Sequence, residues 1–105
     1  MPDYIKKSYG FELCWASTSK YSAHMIVIME NEKTPYMYHK IMDQTIFVLQ
    51  GTLMISVEGK NKTLNEGDKY HIAPKIMHRL TALKGDVTIL EVGTKIEDDI
   101  IIVEK

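Results

Sequence analysis

Glycines and Asn/Asp clusters interrupt this chain at short intervals, and the runs between them are short and rich in Ile, Val, Thr, Tyr and Phe. Residues 23–29 (AHMIVIM), 45–49 (TIFVL), 52–57, 69–72, 76–82 and 87–92 are such runs. β-branched and aromatic residues fit a pleated, half-buried surface, and Gly, Asn and Asp supply the turn conformations between strands. Gln50-Gly51, residues 58–60 (EGK), 65–68 (NEGD) and 84–86 (KGD) are the sharpest of these turns. No segment holds a 3.6-residue apolar period over ten or more positions. The pattern predicts an all-β sandwich or barrel. Residues 36–39 make a short strand just after Pro35, and residues 61–64 return from the turn at 58–60. Residues 99–103 (DIIIV) form a last strand, and residues 8–19 pair at an edge or pack over the barrel.

Length and charge narrow the function classes. A chain of 105 residues is one domain, 1–105, able to bury a modest core. Thirteen basic and fourteen acidic residues leave a formal charge of −1, which predicts neither nucleic acid nor a membrane surface as partner. No apolar run is long enough to span a bilayer, and residues 1–10 contain no apolar signal-peptide core. The lone Cys14 rules out an internal disulfide and a thiolate metal cage, and a cytoplasmic setting is expected. Arg79 is the sole arginine among the thirteen basic residues.

Strand alternation sorts the polar residues by face. Met37 and His39 share one face of residues 36–40, and Tyr36, Tyr38 and Lys40 the other. Gln44 aligns with Ile46 and Val48, and His78 with Ile76 and Leu80. Two segments complete the pattern. Residues 35–51 (PYMYHKIMDQTIFVLQG) resemble the first cupin motif, and residues 66–80 (EGDKYHIAPKIMHRL) resemble the second. With residues 89–93 (ILEVG) and 97–100 (EDDI), the chain is also similar to the C-terminal cupin of type II mannose-6-phosphate isomerases.

The resemblance implies a single-domain cupin barrel, a double-stranded β-helix or jelly roll. It also implies one divalent metal ion (Zn, Ni, Mn, Fe or Cu) held at Met37, His39, Gln44 and His78. Two of these positions depart from the family pattern. Met37 offers a thioether where the family has a nitrogen or oxygen donor, and Gln44 a neutral amide where it has a carboxylate. Two imidazoles, an amide and a sulfur carry no charge to offset a +2 ion, so weak affinity is expected. Met37 otherwise reads as core filler and Gln44 as a hydrogen-bonding residue at a bend.

The remaining candidates surround that centre. Tyr36 and Tyr38 offer aromatic surface for a sugar, for outer-face packing or for a dimer interface. His71 reads as a rim residue and Lys75, in the proline turn, as a cation for a phosphate. Alternation sends Arg79 away from any cavity that His78 faces. Glu91, the one acid inside a clearly apolar strand, would restore a carboxylate as ligand or base if it turned inward. Because Thr88 and Leu90 compete for the inward face, Glu91 is expected in solvent. His24 aligns with Ile26 and Ile28 and reads as a packed core histidine, with lining of the barrel as the alternative.

Three readings follow. One is a metal-dependent sugar-phosphate isomerase of the mannose-6-phosphate type. Another is a non-catalytic cupin that holds a carbohydrate or other small ligand in a degenerate metal site. The third is a dimerising domain, with residues 100–103, Ile26 and Ile28 supplying strand or apolar surface to a homodimer. The resemblance implies a cupin similar to the mannose-6-phosphate isomerase type, acting on or binding a sugar-like small molecule.

Overall fold

Eleven strands run through the computed structural model, which describes residues 4–105. They are β1 (Tyr4–Lys7), β2 (Gly10–Ser17), β3 (Tyr21–Ile28), β4 (Tyr36–His39), β5 (Gln44–Gln50) and β6 (Leu53–Val57). β7 (Lys60–Leu64), β8 (Lys69–Ile72), β9 (His78–Ala82), β10 (Val87–Thr94) and β11 (Ile100–Glu104) complete the set. One sheet has six strands in the order β1-β2-β3-β10-β5-β8, and the other five in the order β11-β4-β9-β6-β7. Every pairing is antiparallel, as an all-β jelly-roll barrel requires. No helix among the described residues is long and apolar enough to cross a membrane.

The core is the inner face of both sheets. Ile26, Ile28, Ile46, Val48, Val87 and Ile89 come from the larger sheet, and Leu53, Ile55, Leu64, Leu80 and Ala82 from the smaller. Each of the Ile, Val and Leu side chains contributes roughly 1.5–3 kcal/mol by leaving water. Ile26 and Ile28 are buried inside this core. They are therefore not available to a neighbouring chain, whereas Ile100, Ile102 and Val103 of the C-terminal strand are exposed.

Turn chemistry sets the closures. Gly51 has φ 92 and sits so close to the β10 entry that a Cβ would lie 2.6 Å from the Asp86 carbonyl oxygen. Only glycine fits both conditions. The N-terminal region is an integral part of the larger sheet. β2 pairs with β3 from Gly10↔Ile28 to Ser17↔Ser22, with one irregularity between Cys14 and Ala16, and β1 extends its edge.

Candidate functional site

His39 closes β4 and His78 opens β9, adjacent strands of the smaller sheet. Met37, two residues before His39, pairs with His78 across the ladder, so all three side chains share the inner face. The two imidazole rings stack with centroids 5.9 Å apart and planes 19° from parallel. Both residues are buried, His39 at 9% exposure and His78 at 3%. Burial holds both pKa values below the ordinary one, so both rings are neutral at pH 7. For His78 the neighbouring His39 adds to that depression, while the bond to the Ile76 carbonyl and the charge of Glu91 oppose it.

Each ring is anchored through Nδ1. His78 Nδ1 lies 3.0 Å from the Ile76 carbonyl oxygen, and His39 Nδ1 lies 3.3 Å from the Gln44 amide nitrogen. Gln44 reaches across from the first position of β5 and is 2% exposed. It fits there because its ladder partner on β10 is Gly93. A Cβ at Gly93 would come within 3.1 Å of the Gln44 Cβ and 2.4 Å of the Met42 Cε.

The histidines line a cavity of about 300 Å³ with Met37, Tyr9, Glu12 and Glu91. A wider recess of about 530 Å³ shares His39, Glu12, Glu91 and Ile100 with it. Glu91 faces inward, contrary to the expectation that Thr88 and Leu90 take that face. Val87 and Ile89 are fully buried, so the same alternation carries Glu91 into the barrel. Its Oε1 lies 3.5 Å from Nδ1 of His24, its partner across the β3–β10 ladder. The Glu91 side chain draws the His24 pKa upward, against the downward pull of burial. His24 is thus a half-buried residue that pairs with an acid and lines the wider recess, the barrel-lining alternative rather than the packed core histidine.

A second acid pair sits beside the first. The Tyr9 hydroxyl donates to Glu12 Oε2. Burial, then the Glu12 contact, pushes the Tyr9 pKa far above its ordinary value, so Tyr9 remains a donor. Sequence reasoning missed both residues. The available signal was the run Phe11-Glu12-Leu13, in which an acid is flanked by apolar neighbours that alternation sends to the opposite face.

The other candidates lie outside the cavity lining. The Tyr36 hydroxyl accepts the Gly59 backbone N–H at 2.9 Å, and its ring lies 5.7 Å from the Arg79 guanidinium carbon. Tyr38 lies on the same outer face of β4, opposite Ile101. His71 is exposed, its Nε2 2.5 Å from Asp43 Oδ1. Lys75 is exposed, and its backbone N–H donates to the His39 carbonyl at 2.6 Å. Arg79 donates through Nε to the Thr34 carbonyl at 2.8 Å and through Nη2 to the Glu104 carbonyl at 3.2 Å, pointing away from His78's face.

These positions test the implied metal. Gln44 spends its amide nitrogen on His39, and its Oε1, buried without a partner, does not line the cavity. At the four implied positions two neutral imidazole edges and the Met37 sulfur remain, while the carboxylates of the same lining stand beside other partners, Glu91 by His24 and Glu12 by Tyr9. Among the described residues, no group of three or more His, Cys, Asp or Glu side chains is placed to hold an ion. A hard or borderline divalent cation needs anionic or additional nitrogen donors, so this set does not fit one.

The chain matches the model of the cupin domain over residues 24–93. Among curated proteins, no sequence matches it. Its fold is similar to that of KdgF from Halomonas sp., at 23% identity and a TM-score of 0.81, covering 91% of this chain and 88% of that one. It is similar to a cupin-superfamily sugar phosphate isomerase from Silicibacter pomeroyi, at 16% identity and a TM-score of 0.76, covering 90% and 76%. It also resembles oxalate decarboxylase from Bacillus subtilis, at 12% identity and a TM-score of 0.85, covering 97% of this chain and 30% of that one. At such identities the likeness is one of fold, whereas the domain match spans most of the chain and contains His24, His39, Gln44, His78 and Glu91. This chain belongs to the cupin family.

Proposed function

We propose that the chain binds an uncharged, hydroxyl-rich small molecule of the sugar class in the barrel cavity. The observation that carries this reading is the lining: two neutral imidazoles beside two carboxylates, Glu12 and Glu91, in a cavity of about 300 Å³. Carboxylates accept hydroxyl hydrogens, and a neutral imidazole both donates and accepts. The volume lies at the small end of the roughly 300–1,000 Å³ usual for ligand pockets, which suits a monosaccharide. Met37, Leu80 and Ile26 supply the apolar wall against which the carbon face of a sugar packs.

The mannose-6-phosphate isomerase reading asks for more. A phosphate needs a cationic clamp, and aldose–ketose exchange needs a polarising acid and a base. Arg79 is committed on the outer face, and among the described residues Lys7 and Lys95 are the only cations that line the cavity and its recess, each beside a glutamate. The carboxylates inside would repel a phosphate. The sugar phosphate isomerase among the fold's neighbours therefore supports the sugar class for this chain more than the phosphate.

Titration of the ¹⁵N-labelled protein with D-mannose, D-fructose and mannose 6-phosphate tests the proposal. The neutral sugars are expected to shift the His39 and His78 side-chain signals, and mannose 6-phosphate to bind more weakly than mannose. Tighter binding of the phosphate overturns the choice of an uncharged ligand, and no response to any of the three overturns the sugar reading.

A further inference from the structure

We infer that Gln44 and the Ile76 carbonyl lock His39 and His78 in opposite tautomers, so that the stacked pair presents one N–H donor and one bare acceptor to the cavity. A carbonyl oxygen only accepts, so His78 Nδ1, 3.0 Å from Ile76 O, carries the proton. The His78 Nε2 is then an unprotonated acceptor. The Gln44 amide nitrogen only donates, so His39 Nδ1, 3.3 Å away, is the acceptor and the proton of the neutral ring sits on Nε2. Neither Nε2 has a hydrogen-bond partner among the described residues, and both rings line the same cavity.

The orientation of the Gln44 amide decides the His39 tautomer. As it stands, Oε1 is buried without a partner. The reversed amide would place Oε1 against Nδ1 and strand the NH₂ group, with two donors, in the position where Oε1 now lies. An unpartnered buried carbonyl oxygen is tolerated more readily than an unpartnered buried N–H. Burial, which keeps both rings neutral, is what makes a single tautomer at each ring meaningful.

Gln44 is thus a positioning residue that acts through His39, and it gives the amide at this position a role that ligation does not. A protonated Nε2 has no lone pair for a cation, whereas a donor and an acceptor side by side match a ligand with a carbonyl or ring oxygen next to a hydroxyl. The ligand class rests on the sugar reading above. The tautomers do not.

Long-range ¹H–¹⁵N correlation of the histidine rings, in ligand-free protein well above the ordinary histidine pKa, tests the inference directly. His39 is expected as the Nε2–H form and His78 as the Nδ1–H form. In Gln44→Glu the carboxylate accepts from Nδ1, so His39 should switch to Nδ1–H while His78 is unmoved. In Gln44→Met, which keeps the bulk and removes the donor, His39 should become a mixture. The two rings in the same tautomer, or His39 unchanged in both variants, overturns the inference, and the wild-type spectrum alone decides if a variant fails to fold. Adding D-mannose to the same samples separates the two readings: no response overturns sugar binding and leaves the tautomers to the ligand-free spectra.

Discussion

Glu91 and His24 face each other across the β3–β10 ladder, Oε1 3.5 Å from Nδ1, at the wall of the wider recess. The carboxylate is the leading cause of the raised His24 pKa, and burial opposes it. Replacing Glu91 by Gln removes the charge and leaves the desolvation, so His24 should titrate below its wild-type value. His39 and His78 should fall further too, because Glu91 charge also raises both. An NMR titration of His24, His39 and His78 reads all of this at once.

The two site histidines set an opposite dependence of stability on pH. Their folded pKa values lie below the ordinary 6.5, chiefly through burial. The unfolded chain therefore binds more protons than the folded one as pH falls through that ordinary value. Their contribution is fully present above 6.5 and is lost as pH falls toward the lowered folded values. His24, with a raised value, runs the other way: its contribution is present below 6.5 and lost as pH rises through the folded value. Urea denaturation across this range should show wild type losing stability on acidification. A His39→Gln/His78→Gln variant should lose less, whatever its starting stability.

How much of this was legible before the fold was known depends on the distance over which a signal acts. The turns at Gly51 and Gly59 and the strands holding His39 and His78 are local patterns, and they emerged with nearly the observed bounds. The inward face of β4 followed from alternation alone. Glu12 and Tyr9 needed the β2–β3 register to be brought against His24 and Glu91, and nothing local specifies that register. The inward turn of Glu91 is not legible locally, because one strand has two faces and the competing Thr88 and Leu90 do not say which is core. The Gln44–His39 contact joins opposite sheets through space that Gly93 leaves open, a three-residue relationship invisible to spacing.

The outward course of Arg79 makes a separable prediction. Its guanidinium ties β9 to the Thr34 carbonyl at 2.8 Å and to the C-terminal strand at Glu104, with a side chain only 11% exposed. Replacing it by Met strands the Thr34 carbonyl and loosens β11 from the sheet. A loss of about 1–3 kcal/mol is expected, on the scale of a charged hydrogen bond removed from a partly buried acceptor. Arg79 itself does not line the cavity, but Thr34, Ile100 and Ile102 do, so any fall in sugar affinity is expected only through the loosened β11 and alongside the loss of stability. Parallel urea melts and binding titrations on Arg79→Met check both halves, and a fall in affinity with no loss of stability would place Arg79 at the cavity after all.

Two glycines show which close approaches the barrel depends on. A Cβ at Gly10 would lie 2.0 Å from the Val27 carbonyl oxygen and 3.0 Å from its carbon, both fixed backbone atoms of the neighbouring strand. No side-chain rotation relieves that clash, so β2 would have to move away from β3, carrying Glu12 and its Tyr9 bond with it. Gly59 has φ 81, but nothing lies within 4 Å of its would-be Cβ. There only the backbone conformation is demanding, and Asn tolerates it. Gly10→Ala is therefore expected to lose stability at the upper end of the roughly 1–3 kcal/mol typical of overpacking, and Gly59→Asn to stay near wild type. Hydrogen exchange should show the loss in Gly10→Ala concentrated in the β2–β3 amides, with the core of β6 and β9 protected. Equal losses in the two variants would mean that turn conformation, rather than the packing of β2 against β3, governs this edge of the barrel.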